Sequence, residues 1–205
     1  MGNIMKTADL YRIATVARAF ASTDTTVPAI NAVRIEATET HVIAVATDRF
    51  TLGVARADYA GEAFTATLDR SHVDTLIKMA KTTKRDESWR QAEITVDENT
   101  LEFRFTTGES LSVRVSDHDF PTFRQLIPSA TLLETENVTP IKLASFDAFK
   151  LAQFAKVPGH ERMSMWIRGT KPTVVRIGDD FIGLIMPVRT PDGTEYVWPA
   201  WLDAA

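Results

Sequence analysis

LDRSHVDTLIKMAK, at positions 68–81, aligns without a gap with LASFDAFKLAQFAK, at positions 143–156. In the first copy apolar residues fall at Val73, Leu76, Ile77 and Ala80, and in the second at Ala148, Leu151, Ala152 and Ala155. Steps of three and four residues place each set on one stripe of an α-helix, with that stripe turned inward. A short alternating run precedes each helix, at 64–68 and at 140–143, and strand-like runs follow it. The unit is therefore strand, helix, strands, and a repeated unit fixes the architecture that any motif must occupy.

After the first helix, residues 92–96, 101–105 and 111–115 alternate in polarity. Asp97-Glu98-Asn99 and Thr107-Gly108 separate them as turns. Residues 164–168, 173–177 and 181–186 follow the second helix in the same way, broken at 169–172 and 178–180. The N-terminal third fits more loosely. A helix is expected over 7–21 with Leu10, Ile13, Ala17 and Phe20 inward, then strands over 32–37, 41–47 and 51–55. The chain thus reads as three helix-plus-meander units of an α+β fold, with helices on one face of antiparallel sheets.

Composition narrows the function classes. The 205 residues, 44% hydrophobic and 24% charged, are ordinary globular material, which excludes disordered and fibrous classes. No cysteine is present, so disulfides and thiolate metal sites are excluded and a reducing, cytoplasmic setting is expected. Lys6, Asp9, Arg12 and Arg18 interrupt the N-terminal segment too often for a signal sequence or a membrane span, so no membrane partner is expected. The net charge of -4 argues against an overall basic coat and leaves room for a local basic strip. His41, His72, His118 and His160 lack metal-ligand spacing, and no P-loop, GxSxG or GxGxxG occurs. Asp117, His118 and Asp119 read as turn residues ahead of Phe120-Pro121. No catalytic residue, metal or cofactor is expected, and the chain is read as a non-enzyme.

Three stretches resemble the bacterial DNA polymerase III beta subunit, the DNA sliding-clamp family. AVATDRFTL at 44–52 is similar to the family's ATDGHRL strand end, DFPTFRQLIP at 119–128 to its FPDYRRVLP segment, and IMPVR at 185–189 to its closing MPMR. They occur in the family's order, each at the end of an expected meander. The resemblance implies the DNA-clamp fold and a division of the chain into four parts. Residues 1–129 resemble the clamp's middle domain as two half-domains, 130–138 form a linker, and 139–189 resemble the second half of the last domain. Residues 190–205 form an aromatic tail with Tyr196, Trp198, Trp201 and Leu202. Three half-domains do not make a whole number of two-half domains, so the resemblance leaves ring closure open.

The resemblance implies a shortened, possibly phage-type processivity factor that holds replication proteins on duplex DNA. The partners implied are duplex DNA without sequence preference, peptides of DNA polymerase and clamp-loader type, and further copies of the chain. A clamp needs spaced positive charge that meets phosphates and not base edges. Arg12, Arg18, Lys78, Lys81, Arg85 and Lys156 are the candidates, with Lys78, Lys81 and Arg85 expected on one helix face. Carried over position by position, the family's peptide groove falls on Ile30, Thr47, Leu52, Pro121, Leu126, Leu184, Met186 and Val188. At Arg49, Phe50, Thr51 and Gln125 the sequence departs from the family's Gly, His, Arg and Arg. The alternative is a clamp-like interaction protein or modulator that does not encircle DNA.

Overall fold

A computed structural model describes residues 3–129, 132–133, 144–158 and 162–189. Its first unit is β1 (Ile4–Lys6), α1 (Thr7–Phe20), β2 (Ala32–Ala37), β3 (His41–Thr47) and β4 (Thr51–Asp58). The second is β5 (Phe64–Asp69), α2 (Arg70–Ala80), β6 (Gln91–Asp97), β7 (Thr100–Phe105) and β8 (Ser110–Arg114). The third holds α3 (Ala148–Ala152), a 3-10 turn at Gln153–Lys156, β9 (Met163–Arg168), β10 (Lys171–Ile177) and β11 (Phe181–Ile185). The strand expected over 140–143, the aromatic tail and all of the linker but 132–133 lie outside the described residues.

Every pairing in the two sheets is antiparallel, and the first two units exchange their leading strands. One sheet runs β1-β6-β7-β8, the other β5-β2-β3-β4-β11-β10-β9. The short β1 has no alternation long enough to be read from sequence; it is a strand because it pairs with β6, Met5 opposite Ala92. The third unit continues the larger sheet at β4, where β11 pairs from Phe181↔Ala55 to Ile185↔Thr51.

Strand alternation builds two cores. Val42, Ala44, Ala55, Phe181 and Ile185 face α1 and α2, which pack side by side and close one core with Ile94, Phe103 and Phe105 of the smaller sheet. Val45, Leu52, Val54, Val174 and Leu184 face the other way and pack with Phe120 and Phe123, from the segment after β8. The central strands are apolar on both faces because both are covered.

Two expectations about the helices need correction. α2 ends at Ala80, so Lys81 is its C-terminal cap and Arg85 lies in the turns beyond, not on one helix face with Lys78. The buried Arg90 guanidinium stops the helix there, donating to the carbonyls of Met79 and Lys81 at 3.0 and 3.1 Å. In the third unit Ala148, Ala152 and Ala155 are exposed and Leu151 half-buried; the buried residue is Phe154. After one turn of α-helix, capped by Asp147 accepting from the backbone N–H groups of Phe149 and Lys150, the chain tightens into the 3-10 turn. That change of phase turns a large aromatic inward in place of small alanines. Phe154 meets Phe20 edge-on at 5.0 Å and Phe181 at 6.1 Å, contacts worth about 0.5–1.5 kcal/mol each beyond area burial.

Candidate peptide and DNA-binding surfaces

Asp48 organises the turn between β3 and β4. Its Oδ1 accepts from the backbone N–H groups of Phe50 and Thr51 at 3.1 and 2.7 Å, and Thr47 Oγ1 donates to the Thr51 carbonyl at 2.6 Å. Oδ2 faces the third unit, accepting from Lys150 Nζ at 2.6 Å and Gln153 Nε2 at 3.1 Å. Burial pushes this carboxyl up, but the hydrogen bonds from Lys150, Gln153 and Thr51 together hold it below its ordinary value. The turn places Arg49 at φ 78°, the left-handed region that glycine enters freely.

Around this turn lies a cleft of about 430 Å³ between the end of α1, the 22–30 loop and α3. Arg18, Arg49, Arg70, Lys150 and Lys156 line it against the carboxylates of Asp24 and Asp48. Phe50 and Phe149 flank it, 57% and 87% exposed, and Lys150 Nζ stands 5.4 Å from the Phe50 ring centre. Arg70 Nε is buried with no hydrogen-bond partner among the described residues. Sequence reasoning placed Arg18 and Lys156 with DNA and Ile30 with a peptide; the three line this one cleft. It did not select Arg70, which α2 brings from the second unit, or Phe149 and Lys150, which α3 brings from the third.

The eight expected groove residues separate into two sets. Ile30, Thr47, Leu52 and Leu184 are buried, Ile30 within the lining of the cleft. Leu52 and Leu184 are register partners across β4 and β11 and pack in one cluster with Phe120 and Phe123. Pro121, Leu126, Met186 and Val188 are exposed. Met186 donates its backbone N–H to the Phe50 carbonyl at 2.8 Å, and Val188 donates to Ser145 at 2.7 Å. Phe50 and Met186, with Val188 two residues on, thus form an accessible apolar rim beside the turn, and Leu126 adds exposed apolar surface on the segment after β8. Glu36, which accepts from Arg34 Nε at 2.6 Å and from Arg124, ties the segment carrying Phe120 and Phe123 to β2. Burial raises the Glu36 carboxyl and the two guanidiniums outweigh it, leaving the group below its ordinary value.

The six expected DNA-contacting cations also divide. Arg12 bonds the Arg56 carbonyl at 2.8 Å and lies 3.8 Å from both Asp9 and Asp180. Arg18 forks onto Asp74 at 2.7 and 3.1 Å, linking α1 to α2. Lys78, Lys81, Arg85 and Lys156 are exposed. Among the described residues no group of His, Cys, Asp or Glu could hold a metal ion, and no helix is long and apolar enough to cross a membrane.

Strand-exchanged half-domains, with paired helices on one side of antiparallel sheets that continue from one unit to the next, define the sliding-clamp fold. Solved structures with this fold include the DNA polymerase III beta subunit of Thermotoga maritima, at a TM-score of 0.75 and 16% identity over 93% of this chain and 66% of that one. The DNA polymerase sliding clamp of Bacillus subtilis matches at 0.74 and 14% identity, covering 93% and 65%. The beta chain of Streptococcus pneumoniae matches at 0.76 and 18%, again covering 93% and 65%. The chain therefore spans about two thirds of the length of these clamps. No family model matches the sequence, and no curated protein matches it.

Proposed function

We propose that the chain is a sliding-clamp-like processivity factor, which holds replication proteins on duplex DNA by binding and not by catalysis. The observation that carries this reading is the continuation of the larger sheet through β4 and β11, which joins the third unit to the first. In the reading, residues 1–129 act as one clamp domain and 139–189 as half of another. The exposed Lys78, Lys81, Arg85 and Lys156 attract phosphates without reading bases. The rim of Met186 and Val188, with the exposed Leu126, takes polymerase- and loader-type peptides.

One domain and a half cannot surround a duplex alone, so the reading requires copies of the chain to associate. The second reading is a clamp-like modulator that presents the peptide surface without encircling DNA. Sedimentation at micromolar concentration separates them. A ring gives a particle of several 22.8 kDa chains, whereas a lone 22.8 kDa species selects the modulator.

A further inference from the structure

The cleft beside the β3–β4 turn has a chemistry of its own. Its lining sets five cations against two carboxylates on a chain of net charge -4. Two of the cations are held by carboxylates, Arg18 by Asp74 and Lys150 by Asp48. Of the remaining three, Arg49 is attracted by Asp24, so the five cations against Asp24, Asp48 and Asp74 leave an excess of two positive charges, and burial with the nearby Arg18 depresses Arg70 from its ordinary value. Arg49 brings its charge to the cleft from left-handed backbone, at φ 78°. A non-glycine residue in left-handed backbone costs roughly 1–2 kcal/mol, so the guanidinium is kept where a glycine would fit more easily.

The cationic cleft is continuous with the apolar rim. Phe50 lines the cleft, its carbonyl accepts from Met186, and the ring lies under Lys150. From these contacts we infer that the cleft selects acidic linear peptides, whose aliphatic or aromatic anchors sit on Phe50 and Met186 while flanking Asp or Glu side chains meet Arg49, Arg70 and Lys156. The inference rests on the peptide-binding part of the proposed function and adds the charge class of the partner. On a net-acidic protein a cationic opening favours acidic peptides at that place over the acidic surface elsewhere.

Fluorescence anisotropy tests it with three synthetic peptides that share one Leu-Phe anchor pair and differ only in flanks of Asp/Glu, Ser/Gly or Lys. The acidic peptide should bind at least about fivefold more tightly than the neutral one in low salt, with the gain shrinking as salt rises. Arg49→Gly, which suits φ 78°, and Lys156→Glu should each bring the acidic peptide toward the neutral peptide's affinity. Equal affinity for acidic and neutral peptides overturns the inference and leaves the groove standing. No binding by any of the three removes the groove and the inference together. A single-stranded oligonucleotide that displaces the acidic peptide, binds more tightly and is lost in the same variants would show that the occupant is nucleic acid.

Discussion

Gly53 and Gly183 face one another across the β4–β11 ladder, and their missing side chains make the seat for the aromatic cluster between the first and third units. A Cβ on Gly53 would lie 2.4 Å from the Phe20 ring, and one on Gly183 would lie 2.7 Å from Phe154 and 2.8 Å from the Leu52 carbonyl oxygen. Neither neighbour can yield cheaply, since the rings of Phe20, Phe154 and Phe181 already touch. Gly183→Ala should destabilise the protein by about 1–3 kcal/mol, with Gly53→Ala at least as costly. Chemical denaturation checks this, and an unchanged midpoint would place the aromatic cluster elsewhere.

Asp48 holds the same junction through polar contacts. Its carboxyl is depressed below the ordinary 3.8, and that of Glu36 below the ordinary 4.5, so both bind protons more tightly in the unfolded chain. Stability from each is present above the unfolded value and is lost as pH falls through the folded one, in the window below about pH 4.5. Asp48→Asn should cost about 1.5–3 kcal/mol at neutral pH by weakening the bond to Lys150. It should also flatten the acid limb of a stability-versus-pH curve. An acid limb as steep as the parent's would exclude Asp48 as its source.

Arg90 closes α2 from a buried position, donating to two helix carbonyls and lying 4.9 Å from the Phe105 ring. Arg90→Met keeps most of the packing and removes the donors. A loss of about 1.5–3 kcal/mol is expected, read as a lower thermal midpoint. Exposed Arg85→Met in the adjoining turn is the control and should change little.

For DNA, the structure separates cations with partners from those open to solvent. Reversing Lys78, Lys81, Arg85 and Lys156 one at a time should weaken duplex binding and reduce its salt dependence, each lost phosphate contact lowering the slope by about 0.9. Arg12→Ala, a residue already bonded to Arg56 and near Asp9 and Asp180, should have a much smaller effect. Equal losses from Arg12 and Lys78 would contradict this division.

The fold was legible where a single period governs a segment. Alternation over residues 32–37 and 41–47 located β2 and β3, and the Leu10-Ile13-Ala17-Phe20 stripe located α1. Where tertiary contacts choose between alternatives, the sequence was silent or misleading. β1 is a strand because β6 lies beside it, and the 3-10 turn after α3 carries Phe154 inward against the expected alanine stripe, where Gly183 leaves space. The site behaved similarly. Met186 and Leu126 could be placed from motifs and are exposed, but covering of Leu52 and Leu184 depends on Phe120 and Phe123 packing across the sheet. The cationic cleft gathers residues as far apart in sequence as Arg18 and Lys156, which no local pattern joins.

The central claim, that copies of this chain surround duplex DNA, is tested most directly by topology. The protein assembled with a nicked circular plasmid is passed through a sizing column in salt high enough to suppress phosphate contacts, before and after the plasmid is cut once. Encirclement predicts co-elution with the circle and release on linearisation. Loss from both forms in high salt, or equal retention on both, would contradict it.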